Sequence, residues 1–265
     1  MTRHAQVTHE SGRAYADGYN ADMNGLRRQE RRRVPWRLAR GTERERLIAG
    51  ALLLMAVAAA IIWPRFYTIL LAVLLALVWA MLVHFFRDPE RTPPAQEAAF
   101  VSPADGRVVE IRHVVEPSFV QGPTVKVGIF MSLFDVHVNR APVTGRVALV
   151  EHVSGQFRQA FRPEAAEVNE HNLIGLETSH GRILINQIAG ILARRIVCWV
   201  TPGQELERGQ RLGLIKLGSR VEVYLPPDAA VTVAMGDQVY AGTTVLARST
   251  AKQGRDEQFV AQTHS

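Results

Sequence analysis

Two apolar runs, Leu47–Trp63 and Tyr67–Phe86, separated only by Pro64-Arg65-Phe66, constrain the fold of this chain more than any other feature. The first carries no charge over 17 residues, and the second carries none apart from a titratable His84. As helices they would extend about 25 and about 30 Å, against a hydrocarbon layer of about 30 Å. A soluble helix of that length keeps a polar face, and Leu70–Leu77 has none. The expectation is a helical hairpin in a membrane, either spanning it or dipping into one leaflet. Trp63, Phe66, Tyr67 and Trp79 are candidate interfacial aromatics. An apolar run that starts only at Leu47 fits a removable signal peptide poorly.

Charge orients the hairpin. Of the residues behind the net charge of +6, nine arginines crowd Arg27–Arg46, whereas the turn holds Arg65 alone. Arg87 and Arg91 flank the far end, so the positive-inside rule puts both ends in the cytoplasm, on the inner (cell) membrane. A basic arm suits nucleic acid as well as lipid. Hydrocarbon-compatible sequence follows it at once, which favours anionic headgroups, and no nucleic-acid partner is expected. Met1–Asn24 lacks hydrophobic periodicity and is expected to be disordered. The single cysteine, Cys198, excludes an internal disulfide framework and a thiolate metal cluster. It is expected to be a buried thiol in a reducing compartment. No metal is expected.

After Phe86 the character changes. Arg87–Pro94 reads as a stiff linker. Short strand signals follow at Val101, Gly106–Ile111, Val125–Met131, Gly145–Val150, Ile183–Ile191 and Ile196–Val200, with a helix hint only at Pro163–Asn169. This spacing predicts a mostly β fold, a compact sandwich or barrel. Gly236-Asp-Gln-Val-Tyr-Ala-Gly242 resembles a lipoyl or biotinyl hairpin, but no lysine occupies a matching tip and Lys216 is not in that setting, so a carrier role is not expected. The expected domains are an Arg-rich arm (1–46), the membrane hairpin (47–86), a β domain (87–250) and a flexible tail (251–265).

Three polar sites stand out. Gly218-Ser219 lies between strand-like Leu212–Leu217 and the alternating Val221, Val223 and Leu225. It reads either as a bulge with an incidental serine or as a nucleophile beside a residue without a side chain. Asp105, in Pro103-Ala-Asp-Gly106, is a turn residue or a functional carboxylate. His137 is a satisfied core histidine or a base.

Taken together, Ser102-Pro-Ala-Asp105-Gly106, Phe134-Asp135-Val-His137-Val-Asn-Arg140-Ala-Pro142 and Leu217-Gly218-Ser219 resemble, in order and spacing, the motifs of the phosphatidylserine decarboxylases, short-form subfamily. Smaller matches lie at Gly155-Gln-Phe157, Asn169-Glu170 and Ile188-Ala189-Gly190, and the resemblance runs from about Phe85 to Ala247. It implies a proenzyme that cuts itself between Gly218 and Ser219. Ser219 then becomes a pyruvoyl group, the cofactor, which forms a Schiff base with substrate. It further implies a heterodimer of the two cleaved chains, with higher assembly left open. The substrate implied is phosphatidylserine in an anionic membrane, the product phosphatidylethanolamine. A related lipid such as archaetidylserine, or a lipoyl-like adaptor without catalysis, is the alternative. By this resemblance His137 is the base and Asp105 fixes its tautomer. Longer members carry a second histidine where this chain has Arg140, and arginine cannot be a base. Arg140 and His171 are therefore assigned to substrate binding or assistance.

Overall fold

The computed structural model describes residues 36–96, 98–158, 168–190, 195–216 and 219–250. The expected disordered stretch Met1–Asn24, most of the helix signal Pro163–Asn169, the pair Leu217-Gly218 and the tail 251–265 lie outside the described residues.

A short strand, β1 (Trp36–Leu38), precedes the two apolar helices, α1 (Glu43–Ile62) and α2 (Phe66–Phe85). Both are long and apolar enough to cross a membrane. Ala56 is the only buried residue of α1 and Phe85 the only one of α2, while Leu54, Ile61 and Phe66 are between 72% and 82% exposed. These helices are apolar on all sides and the protein covers almost none of them. Pro64 ends α1, because its ring and missing N–H cannot continue a helix. Thr68 closes the turn: its hydroxyl donates to the Trp63 carbonyl (2.8 Å) and accepts from the Arg65 N–H (3.1 Å).

α1 begins a turn earlier than its apolar run because its charged first turn is fastened to the β domain. Lys216 Nζ donates to the Gly41 carbonyl (3.1 Å) and to Glu45 Oε1 (2.6 Å). At the end of α2, Phe85 and Phe86 are buried with Val136, Val138 and Leu214. Burying each phenyl stabilises this junction by about 2 kcal/mol.

The remaining elements are strands: β2 (Arg87–Pro89), β3 (Ala99–Val101), β4 (Gly106–Glu116), β5 (Gly122–Met131), β6 (Val138–Arg140), β7 (Gly145–Val153), β8 (His171–Thr178), β9 (Gly181–Ile188), β10 (Ile196–Cys198), β11 (Glu205–Leu206), β12 (Arg211–Ile215), β13 (Ser219–Leu225), β14 (Ala230–Val231), β15 (Gln238–Val239) and β16 (Val245–Arg248). Eight form a curled half-barrel in the order β11-β7-β8-β9-β13-β5-β4-β15. Two three-stranded sheets, β10-β12-β6 and β14-β16-β3, complete the domain. The mostly β class and the two preceding apolar helices are as expected. Cys198 is only half-buried, in β10.

β13 is the centre of the half-barrel, hydrogen-bonded to β9 on one side and to β5 on the other. Val221, Val223 and Leu225 enter the main core beside Val127, Ile129 and Ile185, as the alternation predicts. Arg220 and Glu222, on the other face of this alternation, are buried as well. Curling covers that face too, and the charges pair. Arg220 Nε donates to Glu222 Oε1 (2.9 Å) and its Nη2 to Glu110, while Lys126 Nζ lies 2.9 Å from Glu110 Oε1. Gly128 makes the room, since a Cβ there would stand 2.7 Å from the Arg220 guanidinium.

Candidate active site

Two strand pairings bring the sequence motifs into one ring. At one side Ser219, the first residue of β13, faces Met131, the last residue of β5, with Ser219 Oγ 3.3 Å from Met131 Sδ. At the other side β6 pairs with β12, Val138 facing Leu214, and the Ile215 N–H donates to the His137 carbonyl (3.4 Å). Five residues lie between Met131 and His137, and three between Ile215 and Ser219. The ring is therefore small, and both Ser219 and His137 are fully buried in it. Gly218 belongs to this connection but lies outside the described residues.

The tautomer of His137 follows from its partner. Nδ1 lies 2.9 Å from the Asp135 carbonyl. A carbonyl only accepts, so Nδ1 carries the proton and Nε2 the lone pair. The ring lies against Phe85, centroids 4.2 Å apart, at the end of α2. Burial lowers its pKa to about 4, outweighing the Asp135 carbonyl and nearby carboxylates, which act to raise it. At neutral pH His137 is an uncharged base with the lone pair on Nε2.

Asp105 does not hold that tautomer. Its carboxylate is gripped by Arg91, with Arg91 Nη2 donating to Oδ2 at 2.7 Å and Nη1 to Oδ1, and Oδ1 also accepts the Ala241 N–H at 2.8 Å. Asp105 thus acts on His137 through charge, among the carboxylates that oppose its burial. Gly106 completes the turn with φ of +143°, and a Cβ there would lie 2.1 Å from the Phe130 carbonyl oxygen, so only glycine fits.

Arg140 is buried and directed away from the ring. It donates to Asp88 Oδ1 (3.0 Å), to the Pro89 carbonyl (2.8 Å) and to the Gly209 carbonyl (3.0 Å), so it staples the linker to the domain. A lipid phosphate would have to displace the Asp88 carboxylate from it. His171 starts β8, its Nδ1 2.8 Å from the Asn169 carbonyl. It aligns with Ile188 and, one strand further, Arg220, which puts it roughly 10 Å from β13.

Several residues at this site carry no motif that sequence reading would single out. Asn139 Nδ2 reaches Met131 Sδ (3.8 Å), Gln187 Nε2 donates to Asn139 Oδ1 (2.8 Å), and Asn172 Nδ2 donates to Gln187 Oε1 (3.0 Å). This buried amide chain ends on the sulfur that touches Ser219 and fixes that end of the ring. Its only signal in sequence is polar residues inside strand-like runs.

A family profile for phosphatidylserine decarboxylase matches residues 78–247. The chain belongs to the phosphatidylserine decarboxylase family. Proteins named phosphatidylserine decarboxylase proenzyme from Symbiobacterium thermophilum and Carboxydothermus hydrogenoformans are each 48% identical to it, over 200 and 179 residues. These matches cover 75% and 67% of this chain and 91% and 84% of theirs. One from Desulfotalea psychrophila is 44% identical over 178 residues, covering 67% of this chain and 83% of its own. The matched span begins inside α2 and ends in β16, so the decarboxylase family profile covers Asp105, His137, Arg140, His171, Gly218 and Ser219. The enzyme is accordingly a decarboxylase.

Proposed function

We propose that this decarboxylase converts phosphatidylserine to phosphatidylethanolamine through a pyruvoyl group that it makes from its own Ser219. The observation that supports the reading is that a buried serine, at the head of the central strand, and a buried neutral histidine lie on one small circuit of strand pairings. In the maturation step His137 takes the hydroxyl proton and Ser219 Oγ attacks the Gly218 carbonyl. The Gly218–Ser219 amide bond breaks and an ester forms, leaving an amine on residue 219. Loss of the α-proton then expels Gly218 as a carboxylate, and water replaces the nitrogen of the resulting dehydroalanine, releasing ammonia. The hydroxyl and carbonyl are adjacent in the chain, so proximity supplies much of the acceleration. Asp105 favours the imidazolium that forms, by charge.

The new group is smaller than the serine it replaces and starts a strand paired on both edges, so the surrounding strands can hold it. The pyruvoyl carbonyl supplies the electron sink that no standard side chain offers for decarboxylation at an α-carbon. In this reading His137, once protonated, returns the proton that replaces CO₂.

The two apolar helices support a membrane location, with the β domain on the cytoplasmic side of the cell membrane. Acyl chains then stay in the bilayer while the headgroup reacts at its surface. The fragment beginning at residue 219 contains β13–β16. Because β13 is bonded on both edges, the cut chains should remain a heterodimer. Size exclusion without denaturant is expected to give one species containing both chains, and separation to need urea. The reading itself is tested by supplying phosphatidylserine in bilayers and measuring CO₂ and phosphatidylethanolamine; no conversion by the processed enzyme overturns it.

A pH dependence follows from His137. Its folded pKa, about 4, lies below the ordinary 6.5, so the unfolded chain binds the extra proton between those values. The stability linked to it is complete above pH 6.5 and is lost as pH falls towards 4, by about 3 kcal/mol in all. Urea unfolding in a Ser219→Ala background, which keeps one chain, should lose less stability over that window when His137→Asn is added.

A further inference from the structure

The loop that turns His137 inward also turns an aromatic ring outward. Phe134 is 78% exposed, three residues before the buried His137. It is held close to the end of α2: Arg87 donates through Nη1 to the His84 carbonyl (2.7 Å) and through Nη2 to the Phe134 carbonyl (2.6 Å). Its neighbour Asp135 accepts from Gln238 Nε2 (3.2 Å), which joins this loop to β15. Tyr240, two residues past Gln238 where the chain leaves β15 for a turn, is 51% exposed. Arg107 faces Gln238 across the β4–β15 pairing and is also exposed. Two exposed aromatics and two arginines thus gather on the loop that carries His137 and on the β15 and β4 ends bonded to it, continuous with the point where α2 ends.

Exposed aromatic rings beside arginines suit the headgroup layer of an anionic bilayer, where the ring body is apolar and its surroundings wet. We propose that Phe134 and Tyr240, with Arg87 and Arg107, form a membrane-docking rim that seats the site opening on the headgroup layer of an anionic phospholipid bilayer. The proposal rests on the membrane location and lipid substrate argued above, and adds the surface by which the headgroup is met. The opposite end of β4 gives an internal reference. Val115 is 72% exposed, and at about 3.3 Å per strand residue it lies about 26 Å from Arg107.

The test uses the full chain in nanodiscs of phosphatidylcholine and phosphatidylglycerol. Phe134→Cys and Val115→Cys, each in a Cys198→Ser background, are labelled with an environment-sensitive fluorophore. The label at 134 is expected to be quenched by lipids spin-labelled near the headgroup and protected from aqueous iodide, and the label at 115 to show the reverse. A second measurement compares phosphatidylserine in bilayers with a short-chain, dispersed phosphatidylserine. The double variant Phe134→Ser/Tyr240→Ser should lose about 10-fold in kcat/KM on bilayers relative to the dispersed form, mostly through KM. Equal iodide quenching at 134 and 115, or equal losses on both presentations, would overturn the rim. If the unsubstituted enzyme converted neither presentation, the substrate reading would fall, while the depth of the label at 134 would still decide the docking.

Discussion

Ser219→Ala is expected to leave a single uncut chain of full mass with no measurable decarboxylation, while the unsubstituted protein yields two chains. The effect is all-or-none because two properties vanish together. Alanine has no oxygen to attack the Gly218 carbonyl, and it leaves no serine from which the pyruvoyl carbonyl could be made. The fold should be spared, since among the described residues the Ser219 hydroxyl's hydrogen bond goes to the Met131 sulfur, a weak acceptor, and alanine is smaller. Unchanged far-UV circular dichroism together with one band on a denaturing gel would support this account. Two chains cut at the same bond in the variant would defeat it. Ser219→Cys separates the parts further: a thiol still attacks, so slow cutting is expected where alanine gives none.

His137→Gln should slow self-cleavage by about 10²- to 10⁴-fold, the range in which a positioned base contributes. Glutamine retains a donor towards the Asp135 carbonyl and much of the ring's volume, but its amide has no lone pair basic enough to take the serine proton. The pH profile of processing sharpens the test. With its pKa lowered to about 4 by burial, His137 is neutral at every pH well above that value. The rate of cutting in newly made chains should be flat from neutral to roughly pH 5 and fall only below it, as protonation removes the base. An inflection near the ordinary histidine value would mean that the ring is solvated, or that another group is the base.

Some of this was legible in the sequence and some was not, for physical reasons. The helices were, because a charge-free run as long as Tyr67–Phe86 has few ways to fold. Their ends were less so: α1 starts at Glu43 because Lys216, far away in sequence, takes the Glu45 carboxylate. The strand β8 gave no clear signal, since Asn172, Gly175 and Glu177 interrupt its apolar alternation. Val221 and Val223 pointed to the core correctly, but the burial of Arg220 and Glu222 depends on the curl of eight strands and on Glu110, which no local pattern reveals. The motif residues were found by order and spacing, and their partners were not. Asp105 looked like the holder of the His137 tautomer, yet it belongs to Arg91, and the holder is the backbone at Asp135. Arg140 looked able to bind a phosphate. Its partners Asp88 and Gly209, 52 and 69 residues away, make it a staple instead.

The most direct measurement is the intact mass of the fragment beginning at residue 219, before and after treatment with cyanoborohydride in the presence of phosphatidylserine. The account predicts a fragment lighter than its serine-ended form by one ammonia, which gains the mass of the reduced lipid amine at its first residue. A serine-ended fragment, or one that takes up no lipid under reduction, would contradict it.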